Sequence, residues 1–181
     1  AGRRVALLTI TEPRGRGPAS GSPSRARRAQ SRRRVVFISA RVHPGETNAS
    51  YMMEGILDYL TGPSLGAKAL RDSCVFKIVP MLNPDGVFLG NYRCNSVGLD
   101  LNRLWHASVE GTAPTVHAMR ERARAYCGHP TCRLEMVVDM HAHSTCMNGF
   151  VFANVPEDPR LLEKAISTPH ASSHASSHAS S

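Results

Sequence analysis

The chain has 181 residues, 41% of them hydrophobic, which suffices for one domain with a real core and excludes a fibrous or wholly disordered protein. Its formal charge of +8 is uneven: residues 1–34 hold ten arginines and one acid, Glu12, so the rest of the chain sums to −1. The basicity belongs to one segment, which argues against a nucleic-acid-binding surface spread over the fold. No apolar run reaches the length of a membrane span and no secretory pattern opens the chain, so the expectation is a cytoplasmic protein without a membrane partner. The missing initiator Met points to a fragment.

In chain order, RRVALLTI predicts a short strand. Residues 12–34, Pro, Gly, Ser and Arg without periodicity, predict a disordered loop, an insertion that costs little closure entropy. Eight arginines between Arg14 and Arg34, with no aromatic residue among them, supply charge but no stacking platform for bases. Binding of anionic partners there is expected to be nonspecific. VVFISA, Val35 to Ala40, is a near-continuous apolar run typical of a buried strand.

It leads into HPGE, where Pro44 and Gly45 separate His43 from Glu46 in a turn that cannot be helical. Then NASYMMEGILDYL places Met52, Met53, Ile56, Leu57 and Leu60 at helical spacing, with both methionines as core, and Gly62-Pro63 ends the helix. CVFKIVPML, Cys74 to Leu82, is a second buried strand running into the turn sequence Asn83-Pro84-Asp85-Gly86. PTVHAMRERARAYC predicts a helix with Val116, Met119 and Ala123 inward. LEMVVDMHAHS is a third apolar strand ending in two histidines, and GFVFAN reads as a fourth. Apolar strands alternating with helices predict an α/β fold with a mixed, largely parallel sheet and flanking helices.

The expected division is one folded domain over 1–166 and a disordered tail over 167–181, whose three HASS copies cannot build a core. Five cysteines in a chain too large to need stapling are expected as free thiols. Cys127, His129 and Cys132 have no second Cys/His pair at zinc-finger spacing. Asn48-Ala49-Ser50 fits the glycosylation triplet, which carries no meaning in a cytosolic protein.

His43 with Glu46, Asn83 to Gly86, and His141 all fall at predicted carboxyl ends of strands, where ligand sites of parallel sheets gather. On its own the HPGE stretch reads better as strand-to-helix punctuation. Joined with a distant histidine it becomes a His₂Glu set, a ligand choice of open catalytic zinc sites. His141 and His143 lie two apart, and spacing alone leaves open which is the ligand. Between them and the turn, Arg93, Asp100, Asn102 and Arg103 crowd into an aperiodic stretch. Arginines there could stabilise an oxyanion or grip a carboxylate, and Asp100 could orient a ligand imidazole; taken alone, the stretch reads as a solvated polar loop.

HPGET, NPDGV, GNYRC with DLNRLW, and DMHAHST, in this order and spacing, resemble the cytosolic carboxypeptidases, the deglutamylase branch of the zinc metallocarboxypeptidases. The likeness runs from about Val5 to Pro159, interrupted by the Arg-rich loop. It implies one Zn²⁺ held by His43, Glu46 and His141, with His143 a neighbour. It further implies Arg93 as the oxyanion-stabilising catalytic residue, Asn102 and Arg103 as substrate-carboxylate binders, and Asp100 behind His43. The implied activity is removal of C-terminal residues, glutamates above all, from protein tails such as that of tubulin.

Against the family pattern the chain is expected to be truncated at both ends. The family's general-base glutamate, substrate-binding tyrosine and glutamate-selecting residue lie beyond GFVFAN, where this chain has ISTPHASSHASSHASS. The alternative expectation is a catalytically inactive zinc- and carboxylate-binding fragment or isoform; a third is that the Arg-rich loop tethers nucleic acid or an acidic partner.

Overall fold

The computed structural model describes residues 2–13, 32–107 and 110–154. Of the loop expected to be disordered over 12–34, residues 14–31 lie outside the described residues, as does the HASS tail; the loop's two ends are ordered, since Arg33 and Arg34 pair in a strand and Glu12 accepts from Arg71. The chain divides into two units, residues 1–144 and 145–181.

The first unit is built on a four-stranded sheet of order β1-β3-β2-β4, comprising β1 (Leu8–Ile10), β2 (Arg33–Ala40), β3 (Cys74–Val79) and β4 (Cys132–Met140). The β2–β3 and β2–β4 pairs are parallel and β1–β3 is antiparallel, giving the mixed, largely parallel sheet that the sequence predicts. Side chains alternate across the two inner strands. Val35 and Phe37 of β2 and Val75 and Val79 of β3 join Val116 and Met119 in one core. Ile38 and Ala40 with Cys74, Phe76 and Ile78 join Met53 and Leu60 in the other. Two-residue periodicity thus gives both faces an apolar cover, which is why these strands read as unbroken apolar runs.

One face carries α1 (Asn48–Thr61), followed by α2 (Leu65–Ser73). The spacing argument for α1 holds at Met53 and Leu60 but fails at Met52, which is 49% exposed because consecutive helical positions point about 100° apart. The α2 helix is not expected from the apolar pattern. Its signal is the serine after Gly62-Pro63: the Ser64 hydroxyl accepts the Ala67 N–H and starts the helix. Asn83-Pro84-Asp85-Gly86 does more than turn. Asn83 accepts the Gly86 N–H through its side chain, and Pro84 opens the short α3 (Pro84–Phe88). The opposite face is covered by α4 (Pro114–Arg124), whose Val116 and Met119 are buried as expected, with Ala123 packed against them.

β4, the third apolar strand of the sequence, is an edge strand of the described sheet, with Met136 and Val137 about half exposed. Its pairing with β2 slips between Val35 and Val36, so that Glu135 bulges and the strand realigns to set Met140 opposite Ala40. GFVFAN in the second unit corrects the expected fourth apolar strand: residues 149–154 are described without helix or strand. Alternating apolar residues give propensity, but a strand exists only where another backbone pairs with it. All five cysteines are free, and no helix of the described residues is long and apolar enough to cross a membrane.

Gly86 is where α3 meets the HPGE turn. A Cβ there would lie 2.5 Å from Pro44 Cγ, 2.7 Å from the Cys94 carbonyl oxygen and 2.8 Å from Asn83 Oδ1. Gly86→Ala is expected to destabilise by about 1–3 kcal/mol through overpacking, read as a lower denaturant midpoint.

Candidate metal centre

The site sits on one rung of the sheet. Ala40 and Met140 are paired as the last residues of β2 and β4, so the segments that leave both strands start side by side. The first segment carries His43 and Glu46, and the second begins with His141. Pairing continues past β3 as well, the Leu82 and Asn83 N–H groups donating to the Ala40 and Arg41 carbonyls. Asn83 Nδ2 adds a bond to the Val42 carbonyl, and the Gly45 N–H donates to the Tyr92 carbonyl. These bonds hold the HPGE turn between the NPDG segment and the loop that carries Arg93.

His43, Glu46 and His141 each offer a ligand atom within 4.8 Å of one another, the one such metal-capable group among the described residues. Nδ1 of His43 lies 2.7 Å from Glu46 Oε1, and Nδ1 of His141 lies 3.1 Å from Oε2. The Ala142 N–H donates to the same Oε2 at 2.9 Å. Both imidazoles therefore turn Nδ1 inward, and each outer Nε2 meets a carboxylate: Asp100 for His43 at 3.2 Å, Asp139 for His141 at 2.9 Å. In the tautomer whose outer N–H donates to aspartate, the inner nitrogen would keep its lone pair and face an anionic oxygen. That donor set needs positive charge at its centre, and two imidazoles with one carboxylate suit zinc. His143 is not in the group.

The electrostatics follow. Asp139 raises the His141 pKa through its hydrogen bond, burial opposes this, and the charges of Asp139 and Glu46 add to it. Burial pushes the Asp100 carboxyl up, but hydrogen bonds from Arg93, the Asn102 N–H and His43 together outweigh it and hold Asp100 below the usual carboxylate range. Asp100 is thus the junction of the site. Its Oδ2 accepts from Arg93 Nε at 2.7 Å and lies 3.8 Å from Arg103 Nε, while its Oδ1 caps the 3₁₀ turn Leu101–Arg103 at the Asn102 N–H. The Asn102 side chain accepts from Trp105 Nε1 at 2.8 Å. Arg93 and Arg103 are 43% and 74% exposed at the side chain, whereas His43 is 4%, Glu46 14% and His141 32% exposed, so the arginines lie further towards solvent than the three grouped side chains.

The zinc carboxypeptidase pattern matches residues 1–154. The chain belongs to that family. Among zinc carboxypeptidases it is 43% identical over 162 residues to mouse cytosolic carboxypeptidase 6, covering 90% of this chain and 28% of the relative. It is 45% identical over 150 residues to cytosolic carboxypeptidase 3 of Bos taurus, covering 82% and 14%. A solved metallo-carboxypeptidase from Burkholderia cenocepacia superposes with a TM-score of 0.62 at 33% identity, over 78% of this chain and 34% of that one. The chain spans less than a third of the curated relatives it matches. Zinc is the metal of this family, and the three grouped side chains fit it.

Two supports of this zinc carboxypeptidase site are not anticipated from sequence. Asp139 holds His141 and in turn accepts the Ser39 hydroxyl at 2.7 Å; its signal is the Asp-X-His pattern at a strand end. Arg41 is buried just before the turn, and nothing in its sequence context marks it.

Proposed function

We propose that this chain forms the metal- and carboxylate-binding part of a metallocarboxypeptidase that acts on protein C-termini, with glutamate-rich tails such as that of tubulin as substrates. The single observation that carries this is Asp100, whose two oxygens bind a member of the metal set and Arg93, with Arg103 alongside. His43, Glu46 and His141 would hold zinc, which when bound supplies Lewis acidity for amide hydrolysis. Arg93, engaged through Nε, keeps its terminal nitrogens, among the described residues, for the oxyanion of a scissile carbonyl. Arg103 and the Asn102 amide nitrogen would take the substrate's terminal carboxylate. Glutamate preference rests on the cytosolic carboxypeptidase likeness, and the +9 charge of residues 1–34 would draw acidic tails towards the chain.

A second reading, non-catalytic carboxylate binding, has one observation in its favour. Hydrolysis needs a proton carrier, worth roughly 10²- to 10⁴-fold. The acids recorded at this set, Glu46, Asp100 and Asp139, are each engaged with an imidazole.

The test is calorimetry of the zinc-loaded chain with a polyglutamate-ended peptide and its C-terminally amidated twin. The free acid is expected to bind about tenfold or more tightly, the scale of a charged hydrogen bond. Equal affinity would reject the carboxylate-binding reading. Glutamate release by this chain but not by Glu46→Gln supports the enzyme; selective binding without release supports the second reading.

A further inference from the structure

We infer that Arg41 is a positioning residue for the metal site, a guanidinium brace that fixes the turn between His43 and Glu46. The inference rests on the ligand set proposed above.

Arg41 has φ of 58°, in the left-handed region that costs an L-residue and not glycine. A residue placed there for backbone geometry alone would be glycine, so the side chain is where the reason for arginine lies. That side chain is buried, at 8% relative exposure for the residue, which is unfavourable for a charge unless its donors are met. They are met within the turn itself. Nε and Nη2 both donate to the Pro44 carbonyl, at 3.1 and 2.6 Å, and Nη1 donates to the Ser50 hydroxyl in the first turn of α1 at 2.7 Å. All three contacts go to neutral oxygens.

The brace therefore joins three points that bracket both ligands. It leaves the backbone at residue 41, before His43, grips the carbonyl between His43 and Glu46, and ends on α1 after Glu46. The Arg41 backbone is anchored independently, its carbonyl accepting the Asn83 N–H at 3.1 Å. With both ends of the side chain held, the peptide plane after Pro44 has one orientation, and so do the positions from which His43 Nδ1 and Glu46 Oε1 converge. Those three hydrogen bonds go to Pro44 and Ser50 and not to a ligand side chain; Arg41 acts by keeping the ligands converged before the metal arrives.

The experiment measures Zn²⁺ affinity of the full chain by chelator competition, the visible spectrum of the Co²⁺-substituted chain, and the denaturant midpoint of the metal-free chain. Variants are Arg41→Gly, Arg41→Lys and Ser50→Ala, with His43→Ala as the ligand control. Arg41→Gly is expected to bind zinc at unchanged stoichiometry but about tenfold more weakly, the lower end of what supporting residues of metal ligands contribute. Its metal-free midpoint is expected to stay level or rise, since glycine relieves the backbone cost, and its Co²⁺ spectrum to shift. Arg41→Lys is expected to recover part of the affinity.

Ser50→Ala removes one anchor and leaves the backbone alone, so it tests the brace whatever Arg41→Gly does to folding. A loss of about threefold is expected. Parent-like zinc affinity in both Arg41→Gly and Ser50→Ala, with zinc lost in His43→Ala, overturns the brace alone. Parent-like zinc binding in His43→Ala overturns the ligand set and the brace with it.

Discussion

A His43→Ala, His141→Ala double variant is expected to purify without zinc, where the unaltered chain carries one ion. Glu46 remains, but a lone carboxylate at the mouth of a turn does not retain zinc against solvent, and two of the three grouped donors are gone. The measurement is metal content per chain after dialysis. A companion reading is the thermal midpoint with and without added zinc: the increment that zinc binding adds to the unaltered chain by mass action should vanish in the variant. Retention of one ion per chain would place the metal elsewhere and overturn the ligand set.

Much of this site is legible in the sequence because its residues sit at punctuation. His43 and Glu46 flank Pro44-Gly45 after an apolar run, and His141 closes another, so strand ends alone bring them to the right edge of the sheet. What spacing does not give is the register. Only the pairing of Ala40 with Met140, reached after the bulge at Glu135, sets the two segments side by side. The core strands β2 and β3 are readable because both their faces are covered. β4 carries the same apolar composition at an edge, and composition does not distinguish the two. The α2 helix escapes a reading by apolar period because its start is written in Ser64, a cap. Arg41 escapes for a different reason: a left-handed, buried arginine is a tertiary fact, fixed by Pro44, Ser50 and Asn83 together. Arg93 is recognisable as an arginine in a polar loop, but its place beside the metal set is a tertiary fact, set by the Gly45 N–H to Tyr92 carbonyl bond and by its own bond to Asp100.

Asp100→Ala is expected to have the second largest effect, a loss of about 10- to 100-fold in zinc affinity with stoichiometry retained. Removing the carboxylate frees Nε2 of His43 from its partner, so the ring loses a contact that orients it. The same change uncaps the Asn102 N–H and releases Arg93 and Arg103 from their shared anion. Affinity for a glutamate-ended peptide should therefore fall along with zinc affinity, even at saturating metal. Asp100→Asn separates these roles, since an amide oxygen still caps the 3₁₀ turn but no longer offers a charge to two guanidinium groups. It is expected to keep the stability of the parent better than Asp100→Ala while sharing most of its loss of peptide binding. Combining Arg93→Ala with Asp100→Ala completes a double-mutant cycle. If Asp100 positions Arg93, the second substitution adds little to the peptide-binding loss of the first. Full additivity would show that the two act independently, and the junction role of Asp100 would fall.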